Sequence, residues 1–119
     1  MKIETHRIND TEIAEIISEE VIIESAEDGL DLLGNIYYLG FDKMIIHEKN
    51  ITPAFFDLKN GMAGEILQKF SNYRIRLALV GSFNDYLGKS IKDFIYESNN
   101  VGHINFVPSV ELAVQVLSN

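Results

Sequence analysis

Apolar and polar positions alternate along this chain in two rhythms, and the switches between them mark out an ordered series of strands and helices. Residues 2–8 and 11–17 read as two strands joined by Asn9-Asp10, residue types that tolerate the backbone of a two-residue hairpin turn. In the second of these, Ile13, Glu15 and Ile17 alternate with Ala14 and Ile16, the period of a strand half buried at best. Val21-Ile22-Ile23 reads as a further short strand. Ser25 and Asp28 then stand at capping-box spacing before a helix that should bury Leu30, Leu33 and Tyr37 and end at Gly40. The stretch Lys43-Met44-Ile45-Ile46-His47 is continuous enough in its apolar centre to be a strand buried on both faces. Thr52 is placed to cap the next helix, with Pro53 at the first position, where its missing N–H costs nothing.

Phe55, Leu58, Met62, Ile66 and Phe70 form one stripe at helical spacing. Asn60-Gly61 interrupts it, and two readings stay open: a short helix followed by a longer one, or one kinked helix. Leu77-Ala78-Leu79-Val80 is the second fully buried strand. Ser90 with Asp93 suggests another capping box, before a helix burying Ile91, Phe94 and Ile95. A short strand at 103–107 and a last helix burying Leu112, Ala113, Val116 and Leu117 close the series. Buried strands alternating with amphipathic helices predict an α/β fold, with one mixed, mostly parallel sheet, an N-terminal antiparallel hairpin and about four helices. The expectation is one domain over residues 1–119.

Composition narrows the function classes. There are no cysteines among 119 residues, so disulfides, thiolate metal sites and cysteine nucleophiles are excluded, and a reducing cytoplasm is the expected setting. Residues 1–6 lack the apolar core of a signal peptide, and no apolar run approaches the ~18 residues of a membrane helix. The net charge of −8 is carried wholly by residues 1–31, which hold ten acids and two bases. Residues 32–119 hold eight of each. An acidic region of this kind repels a phosphate backbone or an anionic membrane, and no basic stripe offsets it. Nucleic acid and membrane are therefore not expected partners.

Candidate chemistry gathers after the third strand. In parallel sheets ligands collect at the carboxyl ends of strands, and there the chain places His47, Glu48, Asn50 and Thr52, with Asp57 and Lys59 flanking the interruption that follows. His47 and Glu48 are adjacent and point to opposite faces if extended, so they neither chelate one ion nor form an acid–base pair. His47 either packs against a helix or joins Asn50 and Thr52 at a polar ligand, and Glu48 either pairs with Lys49 or a neighbouring lysine or does the same. Thr52 is a plain cap or part of an anion-binding helix end. Asp57 and Lys59 are either solvated or turned back toward the loop. His6, His47 and His103 lie far apart with no HExxH spacing, so no metal is expected. There is no GxGxxG, no GxxxxGK[ST] and no GxSxG around Ser82, hence no cofactor and no recognisable catalytic set.

The block His47-Glu48-Lys49-Asn50-Ile51-Thr52-Pro53, with Phe55-Phe56-Asp57-Leu58-Lys59, Gly61 and Ala63-Gly64-Glu65-Ile66-Leu67-Gln68-Lys69-Phe70, resembles the core of a bacterial family known only as a domain of unknown function. Leu77–Gly81 and Asp93–Asn99 resemble later parts of it. More distantly, the element order is similar to the STAS fold of sulfate transporters and anti-sigma-factor antagonists. In the antagonists a phosphorylatable serine begins the second helix; Thr52 holds the comparable place, without the serine-and-glycine motif around it. The resemblance implies a non-enzymatic regulatory module binding a small anion or a protein through the loop after the third strand. The alternatives are a small enzyme using His47 as general base with Glu48 or Asp57 orienting it, or a structural protein forming homodimers through the edge hairpin or a helix face.

Overall fold

The computed structural model describes residues 1–86 and 88–119. Five strands, β1 (Lys2–Ile8), β2 (Thr11–Ile17), β3 (Lys43–His47), β4 (Arg76–Val80) and β5 (Ile104–Val107), lie side by side in chain order. β1 and β2 are antiparallel and every later neighbour is parallel. Asn9, at φ 55°, supplies the left-handed residue that closes the hairpin, and the pairing then runs one-to-one from Ile8–Thr11 to Lys2–Ile17. β3 is the central strand, as its apolar run predicts, and Met44, Ile45 and Ile46 are all buried.

Each parallel connection carries a helix: α1 (Ala26–Tyr38), α2 (Met62–Asn72) and α3 (Lys89–Val101), with α4 (Val110–Leu117) after β5. Successive strand residues face opposite sides, and the two sides are covered unequally. Ala14, Ile16, Met44, Ile46, Leu77, Leu79, Ile104 and Phe106 meet the first three helices in the larger core. Ile13, Ile45, Ala78 and Val80 meet Ala113 and Leu117 of α4 on the other side. This two-sided cover corrects the half-buried reading of β2, in which four consecutive residues, Ile13 to Ile16, are buried.

Other elements shift in detail. Val21–Ile23 is no strand; only an isolated parallel bridge joins Ile23 to Ile51. In α1 the buried face is Gly29, Leu32, Leu33 and Ile36, whereas Tyr37 is exposed. Gly29 decides this phase: a Cβ there would lie 2.7 Å from Cδ1 of Ile66, so α2 crosses where only glycine admits it. The Ser25 hydroxyl caps α1 through the Asp28 N–H, as the spacing predicts.

The interruption at Asn60-Gly61 is a true break. Two short 3-10 turns, Pro53–Phe56 and Leu58–Asn60, precede α2, and Gly61 sits at φ 78° between them and the helix. α3 starts before the expected capping box. Ser90 lies inside the helix, and Asp93 pairs with Lys89 one turn away. In α4 Leu112 is 41% exposed, leaving Ala113 and Leu117 as the buried pair.

Candidate functional site

Two neighbours at the end of β3 part company. His47 continues the strand's alternation and shares the α4 side of the sheet with Ile45. Its Nε2 donates to Oε2 of Glu15 at 2.7 Å, and His6 on β1 donates through Nε2 to Oε1 of the same carboxylate at 2.7 Å. Glu15 is only 5% exposed. Burial pushes its pKa up, but the hydrogen bonds from His47 and His6 outweigh that and hold it below the ordinary 4.5. One carboxylate thus ties β1, β2 and β3 together. The sequence reading kept the histidines apart; the strand register brings two of them together, while His103 stays near the Phe70 carbonyl. Among the described residues no group of three or more His, Asp or Glu side chains is arranged to hold a metal ion.

Glu48 opens a single 3-10 turn, Glu48–Asn50, that carries it away from His47. Its Oε1 accepts from the Ser82 N–H at 3.0 Å and its Oε2 from the Tyr86 hydroxyl. Burial, and then the Glu48 carboxylate, push the Tyr86 hydroxyl well above its ordinary range, so it stays a donor. Gly81 is required here, because a Cβ would fall 2.5 Å from Cβ of Glu48. Lys49 meets Glu19 rather than Glu48. An acid–base pair of His47 with Glu48 or Asp57 is therefore not formed, and the carboxylate that orients His47 is Glu15.

Asn50 is fully buried. Its Nδ2 donates to the carbonyls of Ser18 (2.8 Å) and Glu20 (2.7 Å), and its own carbonyl accepts from the N–H groups of Ile22 and Ile23. Its Oδ1 finds no partner among the described residues. Thr52 accepts from the Ala54 N–H and donates its own N–H to the Ile23 carbonyl, so it is a cap on a four-residue turn. These two residues fasten the segment after β2 to the segment after β3.

Asp57 and Lys59 lie elsewhere. Asp57 caps the second 3-10 turn through the Lys59 N–H. Together with Phe56 and Leu58 they form one wall of a cleft of about 460 Å³ whose other wall is Gly88, Lys89, Ser90 and Ile91. That second wall is the first turn of α3, whose N-terminus receives no side-chain cap. Its early N–H groups are left for solvent or a ligand. Two lysines, Lys59 and Lys89, line the cleft. Hydrogen bonding to Asp93 raises the Lys89 pKa. A second cleft, about 380 Å³, lies outside the ends of β4 and β5 and is lined by Ser82, Asn84, Asp85, Asn99 and Pro108 among others. Its charged lining residue is an acid.

Sequence reasoning missed His6, Glu15, Tyr86 and Lys89. Glu15 carried a signal, since it stands between Ile13 and Ile17 on one strand face. His6 carried one too, since a two-residue turn at Asn9-Asp10 sets it diagonal to Glu15; Tyr86 carried none, because its partner lies 38 residues away.

Among the described residues no helix is long and apolar enough to cross a membrane. No curated protein and no solved structure matches the chain. The family model described as "Domain of unknown function (DUF4180)" matches residues 8–117, and the chain belongs to that family.

Proposed function

We propose that this chain is a non-enzymatic regulatory module of STAS-like type, cytoplasmic in setting, that takes a small anion in the cleft between the Leu58–Asn60 turn and the start of α3. The observation supporting this reading is a cleft lined by Lys59, by Lys89 (paired with Asp93), by Asp57 and by the first turn of a thirteen-residue helix that has no side-chain cap among the described residues. Free N–H groups and the helix dipole favour negative charge, and flanking lysines add to it. The absence of cysteine supports a reducing compartment. The element order, an antiparallel hairpin followed by parallel strands alternating with helices, supports the STAS-like kinship.

This reading keeps the sequence-based choice of Asp57 and Lys59 and moves the anion site away from Thr52. A four-residue 3-10 turn has little dipole to offer, and Thr52 already fills its cap. Equilibrium titration with inorganic phosphate tests the proposal. Lys59→Ala and Lys89→Ala should each weaken binding about two- to fivefold, the size of an exposed charge pair. Saturable phosphate binding unaffected by both substitutions, or no binding at all, overturns it.

A further inference from the structure

The two lateral edges of the sheet are finished differently. At β5 the side chain of Asn99 accepts from the Phe106 N–H at 2.7 Å and donates to the Phe106 carbonyl at 3.1 Å, occupying that residue's outward backbone groups. β5 is also only four residues long. β1 is seven residues long, terminal in the strand order, and holds an unbroken one-to-one register with no bulge and no proline. Thr5 at its centre is exposed. Short strands, bulges, prolines and covering groups are the usual protections of an edge. Among the described residues β1 has none of these, and the one further protection it carries is charged side chains of both signs, Lys2, Glu4 and Arg7.

We infer that the outer edge of β1 is an interface for a second copy of this chain, joining two sheets antiparallel about a two-fold axis at Thr5. A two-residue hairpin closes on a hydrogen-bonded pair, here Ile8–Thr11, and the pairs alternate from there. Lys2, Glu4, His6 and Ile8 therefore bond inward to β2. Ile3, Thr5 and Arg7 direct their N–H and C=O groups outward. About a two-fold axis at Thr5, those three residues meet Arg7, Thr5 and Ile3 of the second copy, so every outward group is matched. The same register sets Glu4 opposite His6 of the second copy, twice, and Thr5 opposite itself. Threonine pairs favour cross-strand neighbours, and in this register Glu4 meets an imidazole rather than a like charge. A register centred at Glu4 would oppose two glutamates, and one centred at His6 two histidines. Each His6 would then stand between Glu15 of its own chain and Glu4 of the second.

Mass measurement in solution on the full chain should give twice the 13.5 kDa of one chain. Thr5→Pro removes an outward N–H without touching a bond to β2, and should yield a folded monomer. The chain has no cysteine, so Thr5→Cys carries a single thiol on the axis, at a separation of about 5.5 Å between Cα atoms that a disulfide can span. Mild oxidation should convert it to a covalent dimer, and Asn72→Cys on α2 should not cross-link. A native mass of one chain at every concentration, a Thr5→Pro protein that stays dimeric, or cross-linking of Thr5→Cys no faster than the Asn72→Cys control overturns the inference. Should Thr5→Pro fail to fold, the cysteine pair decides.

Discussion

The exits from the adjacent inner strands β3 and β4 have opposite characters. After β3 the chain is held at nearly every residue: Glu48 by Ser82 and Tyr86, Asn50 by two carbonyls, Thr52 by the bridge to Ile23. After β4 it borders the two clefts described above, and the helix it leads into starts without a side-chain cap among the described residues. Polar residues at a strand end therefore do two different jobs. Those with buried partners fasten the fold, and those facing a cleft beside unpaired backbone N–H groups are the ones the proposed function assigns to binding.

Breaking the first exit should cost stability and leave binding alone. Asn50→Ala has the largest expected effect, about 2–4 kcal/mol, because it strips partners from two carbonyls in a closed environment. Urea unfolding measures this, and the phosphate affinity of the folded protein should be unchanged. Glu15→Gln comes next, at about 1.5–3 kcal/mol near pH 7, the range for hydrogen bonds to a charged group. Its sign with pH follows from the lowered pKa. The native carboxylate stabilises the fold above 4.5 and loses that advantage as pH falls through its lower folded value. Unfolding curves of the two proteins should accordingly converge in acid. Gly81→Ala should cost about 1–3 kcal/mol by forcing Glu48 aside, readable as a lower denaturation midpoint.

The second exit should behave in reverse. Lys89→Ala, at an exposed position, should change stability by less than about 0.5 kcal/mol, while weakening phosphate. A stability loss as large as that of Asn50→Ala would erase the distinction between the two exits.

Much of the frame was legible in sequence because it is local. The Met44–Ile46 run marked the central strand, Asn9-Asp10 the hairpin, and Gly61 the break before α2. The helix phase of α1 was not, since Leu30, Leu33 and Tyr37 fit helical spacing as well as Leu32 and Ile36 do. The choice came from Ile66, thirty-seven residues after Gly29, crossing at a point with no room for a Cβ. At the candidate site, Asp57 and Lys59 were legible as residues flanking a break, but the wall facing them comes from α3. Asn50 read as a rim residue and is buried, because nothing in its neighbours announces that the Ser18 and Glu20 carbonyls close over it. Pairings set by tertiary register leave no periodic trace.

Residue-by-residue amide NMR during titration with inorganic phosphate tests the account most directly. The largest shifts should fall on Lys59 and on Lys89, Ser90 and Ile91, with Glu48 through Thr52 unmoved. Shifts centred on Glu48–Thr52, or on Ser82–Asp85, or on no region at all, would contradict it.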